Sequence, residues 1–239
     1  MKSRLGVNVD HIATLRNARG EGHPDPISYA RQVMNFGANS ITIHLREDRR
    51  HIRDEDVAIF SKIKRVPINL EMAANNEMLK IALKYKPNFV CIVPEKRNEI
   101  TTEGGLNIKK NKKIIKKVIS KLNSKKIRTS LFINPNIKDV FASKELNAKC
   151  VELHTGKFAL KVKNNKNYLV EFKKIKNCAT LAKKLGMEVH AGHGLDYKST
   201  KILRKIKSIE EFNIGHFIIG EAIMFGMKKV ITNFRKILN

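Results

Sequence analysis

Eight short runs along the chain carry the apolar content and alternation of β-strands: LGVNVD, SITIHL, VPINLE, FVCIVP, RTSLFI, KCVELH, MEVHAG and FNIGHF. Each is followed by a helical-looking segment of roughly ten to twenty residues. The clearest is NIKKNKKIIKKVISKLNSKK, where Ile108, Ile114, Ile115, Val118, Ile119 and Leu122 form one apolar stripe and lysines cover the rest. Breakers fall where such units need them: Pro24 and Pro26 open the first helix, Gly37 and Gly186 end helices, and Pro135 sits just after a strand. Eight strand–helix units in 239 residues predict a (β/α)8 TIM barrel with room for extra short helices. A doubly wound open sheet is the alternative. No linker or composition break divides the chain, so residues 1–239 are expected to form a single domain.

Strand geometry sorts the residues further. Leu5, Val7 and Val9 share one face of the first strand, and Gly6, Asn8 and Asp10 share the other. The same phase recurs with Ile41, Ile43 and Leu45 against Thr42, His44 and Arg46. It recurs again with Ile68 and Leu70 against Asn69 and Glu71, and with Val151 and Leu153 against Glu152 and His154. Apolar sets pack on helices, so these polar sets point into the barrel. An unpaired buried polar group costs roughly 1–3 kcal/mol, so they must bond to one another, to water or to a ligand. All lie at the carboxyl ends of their strands, where barrel enzymes place their chemistry, which favours a ligand.

The loops sharpen that inference. HLREDRRH sets His44, Arg46, Arg49, Arg50 and His51 at a strand end, suited to a dianion because Arg pairs bidentately with phosphate oxygens. His44 and His51 as metal ligands is a competing idea, opposed by the arginines and by the lack of an assisting Cys or HExxH spacing. AGHGL places Gly192, His193 and Gly194 after the seventh strand, and NIGHF places Gly215 and His216 after the eighth. Glycines there let backbone N–H groups approach a phosphate, on the loops this fold uses for one. EKRNEITTEGG, residues 95–105, is the candidate closing loop, with Gly104 and Gly105 as hinge points.

A net charge of +26 raises nucleic acid as a partner. The charge is uneven: residues 1–105 hold 17 Lys and Arg against 13 Asp and Glu, and residues 106–239 hold 31 against 9. Most of the excess lies on helical segments as a solvated outer face. With 6% aromatics and no Trp there is no stacking platform for bases. Cys91, Cys150 and Cys178 are widely spaced in apolar surroundings and read as core thiols. No apolar run approaches the roughly 20 residues of a membrane helix, and no signal peptide is evident, so a soluble cytoplasmic protein is expected.

GVNVDHIATLRNARG, ITIHLREDRRHI, NLEMA, VPEKRNEITTEGGL, VELHTG, AGHGL and NIGH together resemble the signatures of the pyridoxine 5′-phosphate synthase family, in family order over nearly the whole chain. The resemblance implies a (β/α)8 barrel that joins 3-amino-2-oxopropyl phosphate to 1-deoxy-D-xylulose 5-phosphate, giving pyridoxine 5′-phosphate, inorganic phosphate and water. It implies no metal, no organic cofactor and a homo-oligomer, an octamer. By motif, Asn8, Arg19, Gly194, Gly215 and His216 would hold the aminoketone phosphate, and Asp10, His11, Arg46, His51 and Thr101 the deoxyxylulose phosphate. The two bases fall on His44 and Glu71, the proton donor on His193 and the charge-stabilising carboxylate on Glu152. Arg16 takes no role. Two features depart from the family pattern: His190 stands where Asn is more usual, and GKFALKVKNNKNYLVEF replaces the usual loop. Another barrel enzyme of sugar phosphates would use the same phosphate loops, but an aldolase would want a strand-end lysine, and the polar strands have none on their inward phase.

Overall fold

The computed structural model describes residues 2–96, 99, 101 and 104–239. Its strands are β1 (Arg4–Asn8), β2 (Ser40–His44), β3 (Ile68–Met72), β4 (Phe89–Ile92), β5 (Arg128–Ile133), β6 (Cys150–His154), β7 (Glu188–Gly192) and β8 (Glu211–Ile214). They run parallel, pair in chain order and close when β8 pairs with β1, which excludes an open sheet. The helices are α1 (Asp10–Arg19), α2 (Pro26–Asn35), α3 (Asp54–Phe60), α4 (Asn76–Tyr85), α5 (Ile108–Ser124), α6 (Ile137–Glu145), α7 (Gly156–Lys163), α8 (Leu169–Lys184), α9 (Tyr197–Leu203), α10 (His216–Phe225) and α11 (Met227–Leu238). One helix follows each strand in a plain barrel, so the helix pairs after β1, β6 and β8 supply three extra: α1, α7 and α10. Among the described residues no helix is long and apolar enough to cross a membrane.

Local chemistry sets the boundaries. Asp25 caps α2 by accepting the Ile27 and Ser28 N–H groups, and Pro26 fills the first helical position. Asn75, Asn107 and Asn136 cap α4, α5 and α6 in the same way. On α5 the predicted stripe is buried at Ile108, Ile115, Val118, Ile119 and Leu122. The outward strand residues Leu5, Val7, Ile41, Ile43, Val151 and Leu153 are fully buried against the helices. Each contributes roughly 1.5–3 kcal/mol by leaving water. The eighth run ends earlier than its sequence suggests, because Gly215 turns the chain into α10 and His216 is that helix's first residue.

The barrel interior is polar through its whole depth. Asn213, Thr42, Asn69, Ser130 and Glu152 occupy its middle, all 6% exposed or less. At the amino-terminal end Arg4 pairs with Glu188 and Glu211, and Arg128 pairs with Glu188. The carboxyl end gathers Asn8, His44, Glu71 and His154 at the ends of their strands, with Asp10 and His193 just beyond.

Candidate active site

Asn8 ends β1 and organises the start of α1. Its Oδ1 accepts the Asp10 N–H at 2.9 Å, and its Nδ2 donates to Asp10 Oδ2 at 2.7 Å. The other Asp10 oxygen accepts the His44 N–H at 2.8 Å, tying β1 to the end of β2. Burial raises Asp10 to about 6, although His44, Asn8 and Arg46 pull the other way. His51 Nδ1 accepts the Ile52 N–H at 2.9 Å, so the neutral ring carries its proton on Nε2. Burial and the neighbouring His44 and Arg46 charges lower His51 to about 4, which fits that neutral tautomer.

His44 stands between two carboxylates. Its Nε2 lies 3.1 Å from Glu95 Oε1, and its Nδ1 lies 3.8 Å from Glu71 Oε2. Register puts His44 beside Glu71 across β2 and β3. Glu95 also accepts the Glu47 N–H at 2.8 Å, fixing its carboxylate. Burial works against Glu95, but the His44 and Glu47 hydrogen bonds outweigh it and hold the group below the usual carboxylate range. Glu71 goes the other way: burial, then the Glu152 and Asp10 charges, push it well above that range. Across the barrel Glu152 accepts the Asn213 Nδ2–H at 2.7 Å, and burial lifts it to about 7 against the pull of His190 and Asn213. Three acids of one cavity therefore resist losing their protons, and a nearby imidazole can exchange with one of them.

His193 sits on the opposite wall. Its φ of 81° is left-handed, and Gly194 follows at 77°, a local strain imposed by the turn out of β7. Thr155 Oγ1 lies 2.7 Å from the His193 carbonyl and 2.8 Å from the Gly192 carbonyl, pinning that turn. The His193 ring stacks on His154 at 4.7 Å, and Phe132 meets His154 edge-on at 5.2 Å. Gly156 leaves room for the pair, since a Cβ there would come within 2.8 Å of His154 and 2.9 Å of His193. Burial lowers His193, and burial with the His193 charge lowers His154 to about 4.

Anion-binding features lie beside both groups. Gly215 starts α10 against Asn8, where a Cβ would approach Asn8 Cβ to 2.8 Å. The N–H groups of the first α10 turn and the positive end of its dipole suit a phosphate. His216 and His11 meet edge-on at 5.1 Å there, and burial together with His216 lowers His11. In the loop after β2, Arg49 is taken by Asp54 and Glu77, and Arg50 by Asp48. Among the described residues Arg46 Nε is buried without a hydrogen-bond partner, Asp48 lying 3.4 Å away, and it can take an oxyanion.

Two predicted residues stand apart. Arg19 is on the last turn of α1, its side chain 77% exposed and 3.5 Å from Glu21. Thr101 is turned to Asn134, whose Nδ2 donates to its hydroxyl at 2.5 Å. Of the expected closing loop, residues 97, 98, 100, 102 and 103 lie outside the described residues. Arg16 gains a role: it pairs bidentately with Asp56 at 2.6 and 2.8 Å and donates to the His51 carbonyl at 3.2 Å, anchoring the loop that carries His51. Glu95, Asn213 and Phe132 were not singled out from sequence. Asn213 and Phe132 are inward residues of β8 and β5, which the period-two phase would have flagged. Asp10, His44 and His51 each offer a ligand atom within 4.8 Å of the others. Yet Asp10 Oδ1 already accepts the His44 N–H, His44 Nε2 is engaged by Glu95, and Arg46 disfavours a cation.

A closed eight-stranded parallel barrel with acids, imidazoles and anion-binding turns gathered at its carboxyl end is a (β/α)8-barrel enzyme. Residues 5–239 match the family model described as Pyridoxal phosphate biosynthesis protein PdxJ, and the chain belongs to that family. It is 63% identical to the pyridoxine 5′-phosphate synthase of Pelagibacter ubique (strain HTCC1062), covering 99% of each chain. It is 50% identical to the protein of that name from Zymomonas mobilis subsp. mobilis, over 99% of this chain and 91% of the relative. The fold is shared more widely. The tryptophan synthase A-subunit of Pyrococcus furiosus superimposes with a TM-score of 0.62 at 14% identity, covering 100% of this chain and 99% of that one.

Proposed function

We propose that the protein joins 3-amino-2-oxopropyl phosphate to 1-deoxy-D-xylulose 5-phosphate, forming pyridoxine 5′-phosphate, inorganic phosphate and water by acid/base catalysis. The observation that carries this is His44, set between Glu95 and Glu71 in a cavity where burial raises Glu71 well above the usual carboxylate range and Glu152 to about 7. The amine needed for condensation comes from the substrate, so no lysine is required. What remains is a series of proton transfers through condensation, phosphate loss, ring closure and aromatisation.

Glu71 and His44 act as bases on carbon and nitrogen centres. Glu71's raised pKa makes its anion the stronger base, and His44 Nδ1 is placed to accept its proton. His193, lowered by burial, is a stronger acid once it has taken a proton from an earlier step, and it protonates a departing hydroxyl or carbonyl oxygen. Glu152 stabilises iminium charge. Asn8, Gly194, Gly215 and His216 hold the aminoketone phosphate, and Asp10, His11, Arg46, His51 and Thr101 the other substrate. For Arg19 and Thr101 the support is the sequence resemblance alone.

Arg46→Ala separates the two phosphate sites. Calorimetric titration should show the affinity for 1-deoxy-D-xylulose 5-phosphate falling about 10–100-fold, the worth of a charge-assisted bidentate contact. Affinity for the aminoketone phosphate should stay within about twofold of wild type, well below the effect of one such contact. Equal losses, or none, would contradict the assignment.

We also infer that the chain assembles with copies of itself through the face formed by α1, α2, α10 and α11. A groove of about 820 Å³ lies there, and Ile223, Met224 and Phe225 stand 72%, 76% and 53% exposed in succession beside it. Light scattering should report an oligomer that Met224→Asp reduces to smaller species; a wild-type monomer would refute this.

A further inference from the structure

His190 lies on the barrel axis below the reacting groups, and the proposed chemistry gives it no part. It is 1% exposed, and its Nε2 is 3.0 Å from Glu188 Oε1 on its own strand. Its Nδ1 is 3.8 Å from Glu211 Oε1 on β8 and, among the described residues, meets no hydrogen-bond partner at ordinary geometry, the Cys150 thiol being its other neighbour. On β6 its register partner is Glu152, with Cys150 also facing it. Arg4 of β1 lies 3.4 Å from its Nε2, and Arg128 of β5 joins through Glu188.

Glu152 approaches from above because β7 has no side chain in its way: a Cβ on Gly192, two residues past His190, would overlap the Glu152 carboxylate. Asn213 of β8 holds one Glu152 oxygen, and Cys91 of β4 lies 4.0 Å from the same atom. On β3, Glu71, pushed up by burial and by the Glu152 charge, offers no positive charge to this layer.

The charges around this layer do not balance without the imidazole. Arg4 pairs with Glu188 and Glu211 and Arg128 with Glu188, while Glu152 has His190 as its register neighbour. The Arg4 side chain is 38% exposed and Arg128's is 22%, so solvent screens both; His190's is 2% exposed. A buried charge persists only when compensated, and for Glu152 the compensating cation at hand is His190.

We propose that His190 is a positioning residue for Glu152: its buried imidazolium, one layer beneath the Glu152 carboxylate, compensates that charge and keeps Glu152 ionised while the reaction runs. The catalytic consequence rests on the role proposed for Glu152 in the reaction; the electrostatic coupling does not. Titration behaviour agrees with the geometry. Burial opposes the imidazolium, yet Cys150 and Glu211 outweigh it and raise His190 to about 9, while His190 is the largest influence pulling Glu152 down from its burial-raised value.

The test uses full-length protein carrying 13C-labelled histidine Cε1 and glutamate Cδ, with signals assigned by His190→Gln and Glu152→Gln. In wild type the His190 ring should remain imidazolium through pH 7; a ring that is neutral there overturns the proposal with no variant needed. In His190→Gln the Glu152 midpoint should rise by roughly one pH unit, as expected for losing one buried charge at the register position on the neighbouring strand. An unmoved midpoint overturns it too. If the variant does not fold, His190→Asn, which also keeps a donor, takes its place. The acid limb of kcat should shift by the same amount. Should the proposed reaction itself be wrong, that kinetic arm is silent and the two titrations still decide the coupling.

Discussion

Glu71→Gln should lower kcat by about a thousandfold, within the range for removing a positioned base, while the affinity for each substrate changes less than about threefold. The amide has the carboxyl's shape but cannot take a proton, so an interaction made only during proton transfer is lost and ground-state binding stays. Burial, with the Glu152 and Asp10 charges behind it, is what raises Glu71, and the neutral amide is free of that repulsion. Rapid-mixing kinetics with separately measured dissociation constants check both. Loss of binding would make Glu71 a positioning residue, and a drop of less than about tenfold would move the base elsewhere.

His193→Asn should lower kcat by about 10²–10³-fold, the effect of deleting a general acid, with little change in thermal stability. Asparagine is the informative replacement because position 193 has a φ of 81°, a conformation Asn adopts more readily than most L residues. The backbone turn, and with it the Gly194 N–H, is thereby preserved. Removing the imidazole also relieves the charge that helps lower His154, so that residue's titration should rise. Unchanged kcat would contradict the role of His193. A large fall in melting temperature would mean that its stacking on His154 is structural.

Much of the barrel and its site is legible in the sequence because barrel strands impose a simple code. Outward residues must be apolar to bury against helices, so Leu5 and Val7 mark β1 and leave Asn8 facing inward. The same phase places His44, Glu71 and Glu152 in one cavity from the sequence alone. The code extends to β5, β7 and β8 as well. Arg128, Ser130, Glu188, His190, Glu211 and Asn213 obey the same phase and make the barrel polar to its base. Glu95 falls outside the code. It lies past the end of β4, where no periodicity constrains direction, and only folding brings it 51 residues back to His44. Arg16 was equally silent, because its partner Asp56 begins a different helix.

The most direct test of the central claim is a time course of purified wild-type protein with 3-amino-2-oxopropyl phosphate and 1-deoxy-D-xylulose 5-phosphate, tracking pyridoxine 5′-phosphate and inorganic phosphate together. Both should appear in equal amounts from the first time point, and neither substrate alone should yield pyridoxine 5′-phosphate. Tight binding of both substrates with no such product would leave the barrel and its anion sites standing and contradict the chemistry assigned to them.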